Sequence, residues 1–246
     1  MRWIVSTIVA LGLFVGGSVG RAENRALSMY AWLGAEAAGR LGTAEFDRFF
    51  RAAVKIRATT IATRPSKAEI LAAFKQADVI YTNSHSGYPK KGPPRMVLET
   101  AAGGGEDGEL SAEELRAALA GAPGPTLVIV DGCNTLARPS GDVPVLALHE
   151  ALGITAKTRG RAYVGFEEAI IGVRGDEFFR IFFAIWTRAP YPSLEVARRE
   201  AVAFLEAKHP GKQPFLDPRA AEIGKKLLIM GDAKLTWKQL LAKGAP

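Results

Sequence analysis

Residues Thr126–Val130 (TLVIV) form an almost wholly apolar run that leads directly into Asp131-Gly132-Cys133. A short apolar run of this kind predicts a strand buried on both faces, as at the centre of a parallel sheet. Two other predicted strands also end in polar side chains: Asp78–Thr82, followed by His85, and Arg161–Phe166, followed by Glu167 and Glu168. The side chains that could take part in catalysis or binding therefore lie at the carboxyl ends of these predicted strands.

Strand and helix patterns alternate along the rest of the chain. Further strands are predicted at Ala26–Leu33, Val54–Thr63, Arg95–Thr100 and Lys226–Met230. Helices are predicted at Thr43–Ala53, from Ser66 to Gln76, from Ser111 to Ala120, at Asp176–Arg188 and at Ser193–Lys208. Alternation of this kind predicts an α/β three-layer sandwich, with a mainly parallel sheet covered by helices on both faces. The site of such a sheet lies beyond the carboxyl ends of its strands.

The N-terminus has the features of a targeting segment. Arg2 precedes an apolar run over residues 3–19, and small residues lead to a plausible cleavage point after Ala22. We expect residues 1–22 to be a signal peptide, with a periplasmic or secreted domain over residues 23–246. The run is nearly long enough to span a bilayer, so a retained membrane anchor is the alternative.

Composition narrows the possible partners. With 48% hydrophobic and 23% charged residues, the chain is expected to be globular. Loss of Arg2 and Arg21 with the leader would reduce the formal charge from +7 to +5. The basic residues are scattered, and Lys90-Lys91 is too short a cluster to indicate nucleic-acid binding. We expect no nucleic-acid partner, no organic cofactor and no metal; contact with a membrane is expected only if the N-terminal segment is retained.

Cys133 is the single cysteine, so it cannot form an internal disulfide bond. A lone cysteine in an exported protein suggests a reactive thiol or an intermolecular disulfide bond, and a buried inert residue is the alternative. A nucleophilic thiolate needs a base, and the oxyanion that it creates needs amide donors. His85 supplies a base, while Gly87 and Gly132 would let bare backbone approach a substrate closely.

A strand ending in His85, followed 48 residues later by one ending in Asp131-x-Cys133, resembles the caspase-hemoglobinase peptidase fold. The most similar members are the metacaspase, clostripain and gingipain families and CHAT-type domains. The segments RAYVGF at residues 161–166 and LLIMGD at residues 227–232 resemble later strands of those proteins. The resemblance covers most of residues 26–235.

This resemblance implies the roles of a cysteine endopeptidase acting on a protein or peptide. Cys133 would be the nucleophile, and His85 would protonate the leaving amine and help to activate the thiol or a water molecule. Asp131 matches the metacaspase acid that binds a basic side chain at P1, the substrate residue before the scissile bond. Glu167 and Glu168 are candidate additional residues of that pocket.

The chain departs from the family motifs at two points. The usual His-Gly pair is His85-Ser86-Gly87 here, and the usual Asp-Ala-Cys or Asp-Ser-Cys is Asp131-Gly132-Cys133. We therefore expect the oxyanion donors among the backbone amides around Ser86, Gly87 and Gly132-Cys133.

Other interpretations remain open for the same residues. His85 can simply end a strand, Asp131 can brace a loop, and Glu167 and Glu168 can be surface charges. At the level of function, the alternatives are a non-catalytic caspase-like binding module and a thiol hydrolase acting on a non-peptide acyl group.

Overall fold

The computed structural model describes residues 27–34, 37, 58–63, 65–88, 95–100, 108–136, 145–170, 172–207 and 219–243. The predicted targeting segment and the predicted helix at Thr43–Ala53 lie outside these ranges. Among the described residues, none of the helices combines the length and apolar character that crossing a bilayer requires.

Nine strands and seven helices are present within the described ranges. The strands are β1 (Ser28–Leu33), β2 (Ala58–Thr63), β3 (Val79–Asn83), β4 (Ser86–Gly87), β5 (Val97–Glu99), β6 (Glu109–Ser111), β7 (Leu127–Asp131), β8 (Ala162–Phe166) and β9 (Leu227–Gly231). The helices are α1 (Lys67–Gln76), α2 (Ala112–Ala118), α3 (Leu148–Ala151), α4 (Gly172–Trp186), α5 (Leu194–Ala207), α6 (Ala220–Lys226) and α7 (Trp237–Lys243).

Six strands form the main sheet, in the order β2-β1-β3-β7-β8-β9. The first five are parallel, and β9 runs antiparallel to β8. A second, antiparallel sheet has the order β4-β5-β6 and branches from the chain between β3 and β7. The predicted α/β fold with a mainly parallel sheet is confirmed.

Alternate side chains of the central strands enter two separate cores. In β7, Leu127 and Ile129 belong to one hydrophobic cluster, whereas Val128 and Val130 belong to the other. Successive strand residues point to opposite faces, so a strand buried on both faces must be apolar throughout. The predicted three-layer arrangement is therefore observed. Aromatic side chains of α4 pack in the core that contains Leu127 and Ile129.

Helices α1 and α2 each begin with a capping box at the serine where the sequence predicts a helix start. At α1, Glu69 N–H donates to Ser66 Oγ (3.3 Å) while Ser66 N–H donates to the Glu69 carboxylate (2.7 Å). At α2, Ser111 and Glu114 make the same reciprocal pair at 3.1 and 2.8 Å. Each box satisfies amide groups that the first helical turn leaves without intrahelical partners.

Helix α4 differs from its prediction, because it begins at Gly172 rather than Asp176. Its first turn lies against the end of β7. A Cβ atom at Gly175 would lie 2.4 Å from Asp131 Oδ1, so glycine allows a close approach that a larger residue would prevent. The helix thus begins about one turn before Asp176, and this additional turn packs against the end of β7.

Candidate active site at the ends of β3 and β7

The neighbouring strands β3 and β7 bring the predicted dyad together. Asn83 and Asp131 are paired in the parallel register, and Ser84 N–H donates to Asp131 O at 3.3 Å. His85 and Cys133 each follow two residues later. Both line a cleft of about 90 Å³, which also contains Asp131 and Gly132. The two candidate catalytic residues thus share one cleft at the carboxyl edge of the sheet.

Cys133 lies in a turn and is half-buried. Its Sγ atom accepts a hydrogen bond from Ile170 N–H at 3.3 Å and lies 3.6 Å from Ile170 O. The Cys133 carbonyl accepts a hydrogen bond from Ser86 Oγ. Contacts from two sides therefore hold the thiol at the cleft, although part of it remains accessible to solvent.

Gly132 allows the two strand ends to approach each other. A Cβ atom at this position would lie 2.4 Å from Ser84 O and 2.7 Å from Ser86 Oγ. Contacts this short are not tolerated, so any larger residue would push the Cys133 turn away from the segment that carries His85. Gly132 is thus needed for close packing, whatever its role in an oxyanion site.

His85 is exposed, and its backbone is held by Glu99 of β5. Glu99 N–H donates to His85 O at 2.8 Å, and His85 N–H donates to the Glu99 carboxylate at 3.2 Å. The small antiparallel sheet therefore supports the residue from beside the main sheet. Glu99 could not be identified from the sequence, because a three-residue strand carries too little periodicity to place its side chains.

Ser86 and Gly87, the predicted oxyanion residues after His85, form β4. The Ser86 hydroxyl contacts the Cys133 carbonyl, whereas Gly87 is buried with a φ of 144°. Among the described residues, no hydrogen-bond acceptor contacts the Cys133 backbone N–H.

Asp131 is buried, with 2% of its surface exposed, and is held by hydrogen bonds from the neighbouring strand. Its Oδ2 atom accepts from Asn83 Nδ2 at 3.0 Å and from Tyr81 OH at 3.2 Å. The Asn83 amide also donates to Asp176 of α4. Asn83 thus bridges two carboxylates beside the cleft, and both Asn83 and Asp176 were missed as site residues.

The two glutamates after β8 are exposed at the surface. Glu168 forms an ion pair with Lys226 at 2.5 Å, and its backbone oxygen accepts Asn134 N–H at 3.0 Å. Among the described residues that line the cleft, neither Glu167 nor Glu168 occurs. The backbone of Glu168 supports the Cys133 turn, whereas the predicted pocket role of both side chains stays a prediction.

Thr135 holds the Cys133 turn through hydrogen bonds with β8. Its hydroxyl accepts Phe166 N–H at 2.8 Å, and its carbonyl accepts the Tyr163 hydroxyl at 3.4 Å. Burial raises the pKa of Tyr163 well above its ordinary value, and the hydrogen bond to Thr135 opposes this only in part. Tyr163 is therefore neutral at physiological pH and remains a donor to the turn.

A second cleft, of about 340 Å³, shares His85 with the first. Its other lining residues come from β4, from Tyr88 after that strand, and from β5 and β6 with the adjoining Gly108. Within the described part of the chain, its acidic lining residues are Glu99 and Glu109. His85 thus has the Cys133 cleft and a larger acidic cleft as neighbours.

Within the described ranges, no group of three or more His, Cys, Asp or Glu side chains is arranged to hold a metal ion. Comparison with protein-family models and with curated proteins gives no significant match for this chain. Its function must therefore be argued from the site itself.

Proposed function

We propose that this protein is an exported caspase-like cysteine endopeptidase in which Cys133 and His85 form the catalytic dyad. The observation that carries the proposal is that these two residues, 48 positions apart, line one cleft at adjacent ends of parallel strands. A nucleophile and a base at the carboxyl edge of such a sheet are the parts that thiol-dependent acyl transfer requires.

In the proposed reaction, Cys133 Sγ attacks the carbonyl carbon of the scissile peptide bond. The resulting oxyanion would accept a hydrogen bond from the Cys133 amide, with Ser86, Gly87 and Gly132 as further backbone candidates. His85 takes the thiol proton and transfers it to the departing amine as the C–N bond breaks. Water then hydrolyses the thioester, which releases the acid and restores the thiol.

The proposed preference at P1 is for arginine or lysine. Asp131 contributes negative charge to the cleft that contains Cys133, and the carboxylate of Asp176 lies near it across Asn83. A basic side chain in the cleft would be attracted by this charge, whereas an acidic one would be repelled. The resemblance to metacaspases at Asp131 points in the same direction.

The test is hydrolysis of a peptide library varied at P1, with the wild-type chain and its Cys133→Ala variant. Cleavage that requires Cys133 and favours Arg or Lys supports both parts of the proposal. Cleavage with an apolar P1 preference would contradict the role of Asp131 while keeping the peptidase. Equal cleavage by both proteins, or none by either, would contradict a Cys133 peptidase, and the second result would favour a binding module.

A further inference from the structure

The second cleft is built on one face of the small sheet. Ser86 pairs with Leu98, and Glu99 pairs with Glu109, so continuation of the β4–β5 register places His85 opposite Glu99. The two backbone hydrogen bonds described above agree with this register. His85, Glu99 and Glu109 therefore lie in one row across the sheet, and all three line the cleft.

The other face of the same sheet packs against the core at β5 and β6. Leu98 and Leu110 are 1% and 0% exposed and belong to the second hydrophobic cluster. Since strand residues alternate between faces, the row of His85, Glu99 and Glu109 must face away from that core. This polar face therefore lines the cleft and does not pack against the hydrophobic core.

Two like charges directly opposite each other on antiparallel strands are unfavourable. Glu99 and Glu109 occupy such positions, and both border the cleft. Arg95 contacts Glu109 at 3.5 Å, but both side chains are more than a third exposed, so solvent weakens this pair. A cation in the cleft would relieve the repulsion between Glu99 and Glu109.

The cleft is also large enough to hold a basic side chain. Its volume of about 340 Å³ exceeds the 90 Å³ of the Cys133 cleft. Tyr88 is one of its lining residues, and aromatic rings attract ammonium and guanidinium groups. Carboxylates beside an aromatic ring are a combination that favours lysine or arginine over neutral or acidic groups.

We propose that this cleft binds a lysine or arginine side chain on the leaving-group side of the scissile bond. The assignment rests on the proposed peptidase function, in which His85 donates a proton to the departing amine. The departing part of the substrate must then lie beside His85, and the acidic cleft is a second cavity that His85 borders. The enzyme would select basic residues on both sides of the bond that it cuts.

The experiment compares two internally quenched peptides, both with Arg at P1. One peptide has lysine at the two positions after the scissile bond, and the other has norleucine at both. Norleucine keeps the apolar stem of lysine and removes its charge. For the wild-type chain we expect kcat/KM to favour the lysine peptide by about fivefold. Glu109→Gln should lower this ratio by about threefold or more, because it removes one carboxylate and keeps its shape.

Glu113→Gln is the matched control, since it removes the charge of an exposed glutamate on α2 outside the cleft lining. This variant should keep the wild-type ratio. A wild-type ratio near one would overturn the proposal, and so would a ratio in Glu109→Gln equal to that of the wild type.

A binding measurement separates failure of the cleft from failure of the peptidase. Lys-Ala-amide and norleucine-Ala-amide are titrated into the Cys133→Ala chain and into the same chain carrying Glu109→Gln. Tighter binding of the lysine compound, weakened by Glu109→Gln, supports the cleft even if no peptide is cleaved. Cysteine-dependent cleavage without any preference for lysine in either assay would overturn the cleft alone.

Discussion

Asn83 and Asp131 face each other across β3 and β7, and the Asn83 amide donates a 3.0 Å hydrogen bond to the Asp131 carboxylate. The same amide donates to Asp176 at the start of α4. One buried side chain thus ties together both strand ends and the helix beside them. The two turns that begin after this pair carry His85 and Cys133.

Asn83→Asp should strongly destabilise the protein at neutral pH. The variant replaces a donor amide with a third carboxylate beside Asp131 and Asp176, at a position that is 5% exposed. An uncompensated buried charge costs about 3–5 kcal/mol. Chemical denaturation should show this loss at pH 7 and a smaller loss under acidic conditions, where carboxylates are protonated. Equal stability of variant and wild type at pH 7 would contradict the bridging role of Asn83.

Gly132→Ala should displace the Cys133 turn, because its Cβ atom would meet Ser84 O. We expect a loss of about 1–3 kcal/mol in the free energy of unfolding and a changed rate of Cys133 alkylation by iodoacetamide. Gly153→Ala is the control. Gly153 has a φ of 65° and no heavy atom within 4 Å of its added Cβ, so its strain should leave the alkylation rate unaltered. Identical rates in all three proteins would argue against close packing at Gly132.

Glu99→Ala should reduce kcat/KM without unfolding the protein. The variant removes the carboxylate that accepts His85 N–H at 3.2 Å, which frees the His85 backbone on one side. Misplacement of a catalytic group by about 1 Å costs up to about 100-fold in rate. Glu99→Gln keeps an acceptor and should lose less activity than Glu99→Ala. Full activity of the alanine variant would show that Glu99 does not position His85.

Glu114 should contribute to stability in a pH-dependent way. Burial raises the pKa of Glu114, but hydrogen bonds from Lys67 and Ser111 outweigh it and hold the pKa below its ordinary value of 4.5. Its contribution is therefore present above about pH 4.5 and is lost as the pH falls through the lowered pKa.

The corresponding measurement is the pH dependence of unfolding for wild type, Glu114→Gln and Glu113→Gln. The fall in stability toward acid should be smaller in Glu114→Gln than in the wild type. The difference should remain below about 1 kcal/mol, since the pair with Lys67 is partly exposed. Glu113→Gln should follow the wild type. An unchanged slope in Glu114→Gln would contradict this assignment.

The main sheet could be predicted from the sequence because its strands carry strong local signals. The wholly apolar β7 can be buried on both faces, and the capping boxes at Ser66 and Ser111 mark two helix starts with defined hydrogen bonds. The shared position of His85 and Cys133 follows from parallel strand order. These features depend on short stretches of chain, which sequence patterns describe well.

The supporting contacts of the site could not be predicted in the same way. The strands of the small sheet have only two or three residues. The sequence around Glu99 and Glu109 therefore shows no alternation that would indicate which face of a strand they occupy. The predicted strand ends at Thr82, so Asn83 falls outside it, and the importance of Asn83 comes from the partner strand opposite it. Gly175 allows α4 to approach Asp131, which is a tertiary contact across 44 residues of chain.

The central claim is tested most directly by covalent trapping with an acyloxymethyl ketone peptide that carries Arg at P1. Intact-mass and peptide-mapping measurements should place the adduct on Cys133 of the full chain. The adduct should be absent in Cys133→Ala and should form more slowly in His85→Ala. Unmodified Cys133 in a folded protein, or the same trapping rate with and without His85, would contradict a Cys133–His85 dyad.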